Sequence, residues 1–256
     1  MEHSFLDKYS NLDSLIHRLD PRVKIISFLV YIIFVVLTLP HNLFRFVAYL
    51  TVIFMLILLS KVPLGYILKR SCIIIPFVLL IAVFIPFFKE GEVAGGYSFG
   101  TLRLTVTYSG LWILWNVSIK SWLAVLAMIT LSSTTRFPEV LKGFERLYVP
   151  KVLIMVLSFM YRYIFVLIDE SMRMERARRS RYFGGEHFRQ LKVFANMIGL
   201  LFIRTYERGE RVYQSMAARG FNGEILTLSH PTLRRNDVLF LVIFLASLVM
   251  IKIGRV

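Results

Sequence analysis

The chain holds a single cysteine, Cys72, among its 256 residues, which excludes an intramolecular disulfide and any cysteine-rich metal or redox motif. A packed thiol near a helix start accounts for it. Acidic residues are scarce: 16 Asp and Glu stand against 31 Lys and Arg, a formal net charge of +15. No G-x-x-x-x-G-K-[ST] loop occurs, so ATP hydrolysis through a Walker motif is excluded, and H-E-x-x-H is absent as well. The first four apolar segments contain neither Asp nor Glu. That rules out an aspartate-rich metal-diphosphate site and leaves a carboxylate-lined channel unsupported. The histidines, His3, His17, His41, His187 and His230, are scattered through loops and ends. They read as solvated or capping rather than catalytic. Met1-Glu2-His3 could chelate nickel or copper through a free amino terminus, but a solvated terminal histidine is the preferred reading. No catalytic residue and no metal ligand is assigned.

What is present is apolar. Hydrophobic residues make up 57% of the chain and the mean hydropathy is +0.65, well above the ~45–50% apolar content of soluble domains. Runs of about 17 residues or more can cross a hydrocarbon core of ~30 Å. Such runs cover Val23–Leu39, Leu43–Leu59, Cys72–Phe88, Leu111–Leu131 and Val238–Ile253. The predicted fold is therefore all-α: a polytopic membrane helix bundle of about five spans with long cytoplasmic or interfacial helices. The polar N-terminus predicts no cleavable signal peptide.

Pro40-His41-Asn42 predicts a helical hairpin of the first two spans. Pro63 and Pro76 mark the loop into the third. The glycine-rich Lys89–Thr101 reads as a turn outside the membrane. Lys8, Arg18, Arg22, Lys24, Lys61, Lys69 and Arg70 fall in alternate loops, so the positive-inside rule predicts a cytoplasmic N-terminus. Residues 132–237 carry 18 of the 31 Lys and Arg by count. The predicted division is 1–22 cytoplasmic, 23–131 a four-span region, 132–237 a cytoplasmic helical region and 238–256 a last span.

Val152–Ile168 is apolar enough to cross but holds Ser158, Tyr161 and Arg162, and crossing would place Arg173–Arg181 outside. Val193–Ile203 is too short to cross. Both are expected as long helices in or under the interface. Lys120 lies deep in the fourth span, four residues after Asn116, with Trp112 extending the same face. It is expected either to meet a membrane partner or to be paired internally. Glu175 and Arg179 stand at i, i+4, which supports helix through the basic cluster Ala177-Arg178-Arg179-Ser180-Arg181. A second cluster, Ala217-Ala218-Arg219-Gly220, places glycine where a left-handed helix cap is expected. Arginine beside a small residue suits close docking against a carboxylate.

Several stretches resemble the transmembrane T components of energy-coupling factor (ECF) transporters. They are Leu19-Asp20-Pro21-Arg22-Val23-Lys24, Thr134–Leu141, Tyr161–Glu170 and Ala218-Arg219-Gly220-Phe221. Tyr9-Ser10-Asn11 and the Arg-Tyr-Ile-Phe…Asp-Glu segment are most similar to the cobalt-transport T component, CbiQ. The resemblance implies cytoplasmic coupling helices, two ending in Ala-Arg-Gly motifs that dock on ABC ATPases. Ala218, Arg219 and Gly220 match the second motif. The first departs from it: counting from Glu170 selects Arg181, with Ala177, Arg178 and Arg179 as the alternative.

The resemblance thus implies a non-catalytic energy-coupling subunit of a cobalt importer, multi-pass in the cell membrane. Its implied partners are two ABC ATPase subunits or a homodimer, a metal-binding membrane S subunit and a small accessory membrane protein. ATP and magnesium would sit on the ATPases and cobalt on the S subunit, with no cofactor in this chain. The same role in a nickel importer is the first alternative. A membrane enzyme acting on anionic lipid is the second, weakened by the missing acid–base constellation. A nucleic-acid role is not expected, since no recognition fold or aromatic-interleaved basic patch is present.

Overall fold

The computed structural model describes residues 9–10, 12–40, 42–88, 93–99, 102–181, 187–223 and 233–253. The helices among them are α1 (Pro21–Val36), α2 (Leu43–Ser60), α3 (Leu64–Ala82), α4 (Ile85–Phe88), α5 (Tyr108–Thr134), α6 (Phe137–Arg146), α7 (Lys151–Ser180), α8 (His187–Ala218) and α9 (Arg235–Ile253). One short antiparallel hairpin, β1 (Val93–Phe99) and β2 (Leu102–Thr107), interrupts them. Four helices, α2, α5, α7 and α9, are long and apolar enough to cross a membrane by length and composition. The fold is a polytopic all-α bundle. His3, His41, His230, Met1, Glu2, Lys8 and Asn11 lie outside the described residues.

The chain divides into two compact units, residues 144–230 and residues 2–143 with 231–256. In the second unit α1 and α2 pack against α5 and α9, and α3 and α4 against α5. The core is built from Tyr31, Val35, Tyr49, Ile53, Ile67, Leu123, Ala127 and Leu248, all essentially inaccessible. Tyr31 donates its hydroxyl to the Tyr49 carbonyl at 3.0 Å, and the two rings meet edge to face. That bond satisfies a phenol that would be costly to bury alone. At Gly143 an added Cβ would lie 2.7 Å from Ile25 Cδ1, so the missing side chain lets α6 close on α1.

Four expectations change, the first being Cys72, which is exposed and lies inside α3 rather than packed near a helix start. Lys89–Thr101 is not a turn throughout: Val93–Phe99 is a strand paired with Leu102–Thr107. The alternation of Leu102, Leu104 and Val106 with Arg103, Thr105 and Thr107 is the period-2 signal of a strand. Pro76 does not mark a loop: it lies inside α3, where a membrane helix can re-satisfy the lost backbone donor through its neighbours. Lys24 is no loop cation. Its side chain sits within α1 and the residue is 1% exposed.

Candidate functional site

In the unit 144–230, α7 and α8 pack on each other. Helix α7 ends at Ser180 and is capped by Arg181, whose N–H donates to the Arg178 carbonyl at 3.1 Å. Helix α8 ends at Ala218, and the next residue, Arg219, donates its N–H to the Met216 carbonyl at 3.0 Å. The two arginines therefore occupy the same position, one residue past a long helix. Both are exposed, and among the described residues neither forms an ion pair.

The end of α8 has a second layer of order. Gly220 has φ of +80°, its N–H reaches the Ala217 carbonyl, and Phe221 N–H reaches Met216, each at 3.0 Å. These paired bonds form a Schellman cap, which fixes the chain as it leaves the helix. A Cβ at Gly220 would meet nothing within 4 Å. The glycine is thus needed for its backbone angle rather than for space; an L residue there costs roughly 1–2 kcal/mol.

The alternative first motif is arranged differently. Arg178 grips Glu175 with two bonds of 2.8 and 2.7 Å and lies over the Phe194 ring at 4.4 Å. Arg179 reaches the same carboxylate at 2.8 Å. Bonds from Arg178 and then Arg179 hold the Glu175 carboxyl down at about 2. A few residues back, Glu170 joins Arg173 to Arg204, the latter at 2.5 Å, and its carboxyl is likewise held low by those bonds. Arg178 and Glu170 thus hold α7 to α8, whereas Arg181 is left at the tip. Ala177 is exposed beside them.

In the other unit a buried polar cluster joins the starts of two helices. Asp20 caps α1 by accepting from Arg22 N–H at 2.9 Å, with Pro21 following as the first helical residue. Asp20 N–H donates to Asp237 Oδ1 at 3.2 Å, while Asp237 Oδ2 accepts from Arg234 N–H at 2.9 Å. One carboxylate thereby serves the N-termini of both α1 and α9, where their dipoles favour negative charge. Lys24 donates to the carbonyls of His17 and Thr134, each at 3.0 Å, and interacts electrostatically with Glu139, Asp20 and Asp237. Sequence reasoning counted Lys24 and Asp20 only as loop and motif residues; the proximity of Asp20-Pro21 to a lysine in an apolar run was the available signal.

His17 accepts from the Ser14 hydroxyl at Nδ1 (2.7 Å) and donates from Nε2 to the Tyr9 carbonyl (3.1 Å). Burial is the main cause holding it below its ordinary value. The unfolded chain therefore takes up the proton first. The stabilisation from the neutral ring is complete above about pH 6.5 and is lost as pH falls from there through the folded value. Between about pH 7.5 and 5.5, the melting temperature of the protein is expected to fall further than that of His17→Gln. Equal falls would show that His17 is not the group responsible.

Lys120 donates to the Val36 carbonyl at the C-terminal end of α1, at 2.9 Å. A cation there complements the helix dipole. Asn116 is buried, its Oδ1 without a hydrogen-bond partner among the described residues, while Trp112 is 44% exposed. Of the two readings of Lys120, a membrane partner or an internal pairing, the contact within this chain is the one to the Val36 carbonyl. Among the described residues no group of three or more His, Cys, Asp or Glu could hold a metal.

Residues 13–228 match the family CbiQ, described as cobalt transport protein. An uncharacterized protein of Methanocaldococcus jannaschii is 29% identical over 99% of this chain and 88% of its own length. The energy-coupling factor transporter transmembrane protein EcfT of Clostridium kluyveri is 30% identical, covering 85% of this chain and 83% of that protein. EcfT of Listeria innocua is 27% identical over 87% and 86%.

Proposed function

Since the chain belongs to the CbiQ family and is the multi-pass T component of an energy-coupling factor transporter, we propose that it couples ABC ATPases to the import of divalent cobalt through a metal-binding membrane subunit. The observation that carries the coupling role is the shared position of Arg181 and Arg219, each exposed just past the end of a long helix. An arginine so placed can enter an acidic groove and form a bidentate pair, while Ala218 and Gly220 keep the approach close.

ATP and magnesium belong to the ATPases, as two different subunits or a homodimer, and cobalt to the S subunit. A small accessory membrane protein completes the assembly. In this reading ATP binding draws the ATPases together and α7 and α8 move with them. That movement can shift the S subunit only if the contacts differ between the nucleotide states. The chain itself catalyses nothing. Cobalt specificity is supported by the family description.

Uptake tests this reading. The full complex, reconstituted in vesicles with ATP, is expected to accumulate cobalt in the presence of equal nickel. Preferential nickel uptake would reassign the cargo, and uptake unaffected by omitting this chain would end the coupling role.

A further inference from the structure

Along the face where α7 meets α8 runs a cavity of about 650 Å³, within the ~300–1,000 Å³ of small-ligand sites. Its floor is apolar: Val156, Phe159, Met160, Val166 and Leu167 from α7, with Val212 and Met216 from α8. Its polar wall contains Glu170, Arg204, Arg208 and Arg211. Glu170 is already taken by Arg173 and Arg204. Arg208 forms no ion pair among the described residues, and Arg211 only approaches Glu207, at 3.7 Å between exposed side chains. An apolar trough therefore carries two cations with unused donors.

Gly209 lies between them in the sequence and lines the same cavity. An added Cβ would meet nothing within 4 Å and its φ is ordinary, so neither crowding nor backbone angle calls for glycine. A mid-helix glycine costs about 1 kcal/mol relative to alanine. What it leaves is depth in the trough beside the two guanidinium groups.

We propose that this cavity binds an anionic phospholipid, its acyl chain against Val156, Phe159 and Met160 and its phosphate on Arg208 and Arg211. Charge decides the occupant. Three arginines and one glutamate give the lining a net charge of +2, which a zwitterionic lipid does not match and an anionic one does. The guanidinium groups supply the paired donors that a phosphodiester accepts. Neither Arg181 nor Arg219 lines this cavity, so the proposal does not depend on their role.

The test uses the full-length protein in neutral detergent, titrated with phosphatidylglycerol or phosphatidylcholine and read by native mass spectrometry. The wild type is expected to retain phosphatidylglycerol about thirtyfold better, the effect of two interfacial arginines. Arg208→Gln with Arg211→Gln should erase that preference, and Arg208→Lys with Arg211→Lys should restore most of it. Gly209→Leu should fill the trough and reduce retention of both lipids while the helix content holds. Equal retention of the two lipids by the wild type would overturn the proposal. So would a preference that survives the glutamine pair, or undiminished binding by Gly209→Leu. Displacement of phosphatidylglycerol by a co-purified membrane subunit would assign the trough to protein and overturn it too.

Discussion

Arg181→Glu combined with Arg219→Glu is expected to abolish recovery of the ATPases with this chain, while the protein still inserts and keeps its helices. In the docking reading each arginine would face an acidic groove, so replacing it by an anion turns attraction into repulsion. Removing one partner of a buried charge pair costs about 3–5 kcal/mol, a loss of roughly a hundredfold to a few thousandfold at a single site. Both residues lie past the helix ends and are exposed, so the change does not disturb α7 or α8 themselves. Arg219→Glu alone should be the more severe single variant, because the cap at Gly220 fixes the chain beside it. Arg178→Glu provides the contrast. Its grip on Glu175 and its stacking on Phe194 hold the helix pair, so it should loosen α7 from α8 and increase proteolysis there. Normal ATPase recovery by the double variant would reject docking through these two ends.

Lys24→Met should cost about 3–5 kcal/mol of stability, the loss expected when one member of a buried charge cluster is removed. The residue is 1% exposed, and the substitution leaves the His17 and Thr134 carbonyls without their donor. It also leaves Asp20 and Asp237, 6% and 4% exposed, with less positive charge against them. Asp237→Asn should cost less, because the amide oxygen can still accept one of the two backbone N–H groups. Chemical unfolding in detergent checks both. A Lys24→Met loss within the ~0.5 kcal/mol of an ordinary surface change would mean that Lys24 carries little of the cluster's stability.

Helix was legible wherever an apolar run was long, as in α2, α5 and α9, because length and composition alone decide whether a segment can cross a bilayer. The cap that ends α8 was legible for a different reason: Gly220 after Ala218-Arg219 signals a left-handed cap through backbone sterics, which are local. Lys24 was misread because its partners are remote, the Thr134 carbonyl lying 110 residues away. No local pattern distinguishes a lysine entering a span from one sealed at its base. Arg178 drew attention as part of the denser cluster, yet what sets it apart from Arg181 is Phe194 on the next helix. The β hairpin was obscured by Gly95 and Gly96, whose turn-forming character outweighed the alternation in Leu102–Thr107.

Helix α8 has 32 residues, a rod of about 48 Å. Tilting such a rod by about 5° about one end would sweep the other through about 4 Å, so a small nucleotide-driven rotation would be magnified with distance. That gain depends on stiffness. Gly199 and Gly209 divide the rod into three pieces, and at neither is glycine required for clearance. Glycine is the least restrained residue in a helix, so these two points are where bending would take up part of an applied displacement before it reached the far end, making the helix a sprung rather than a rigid link.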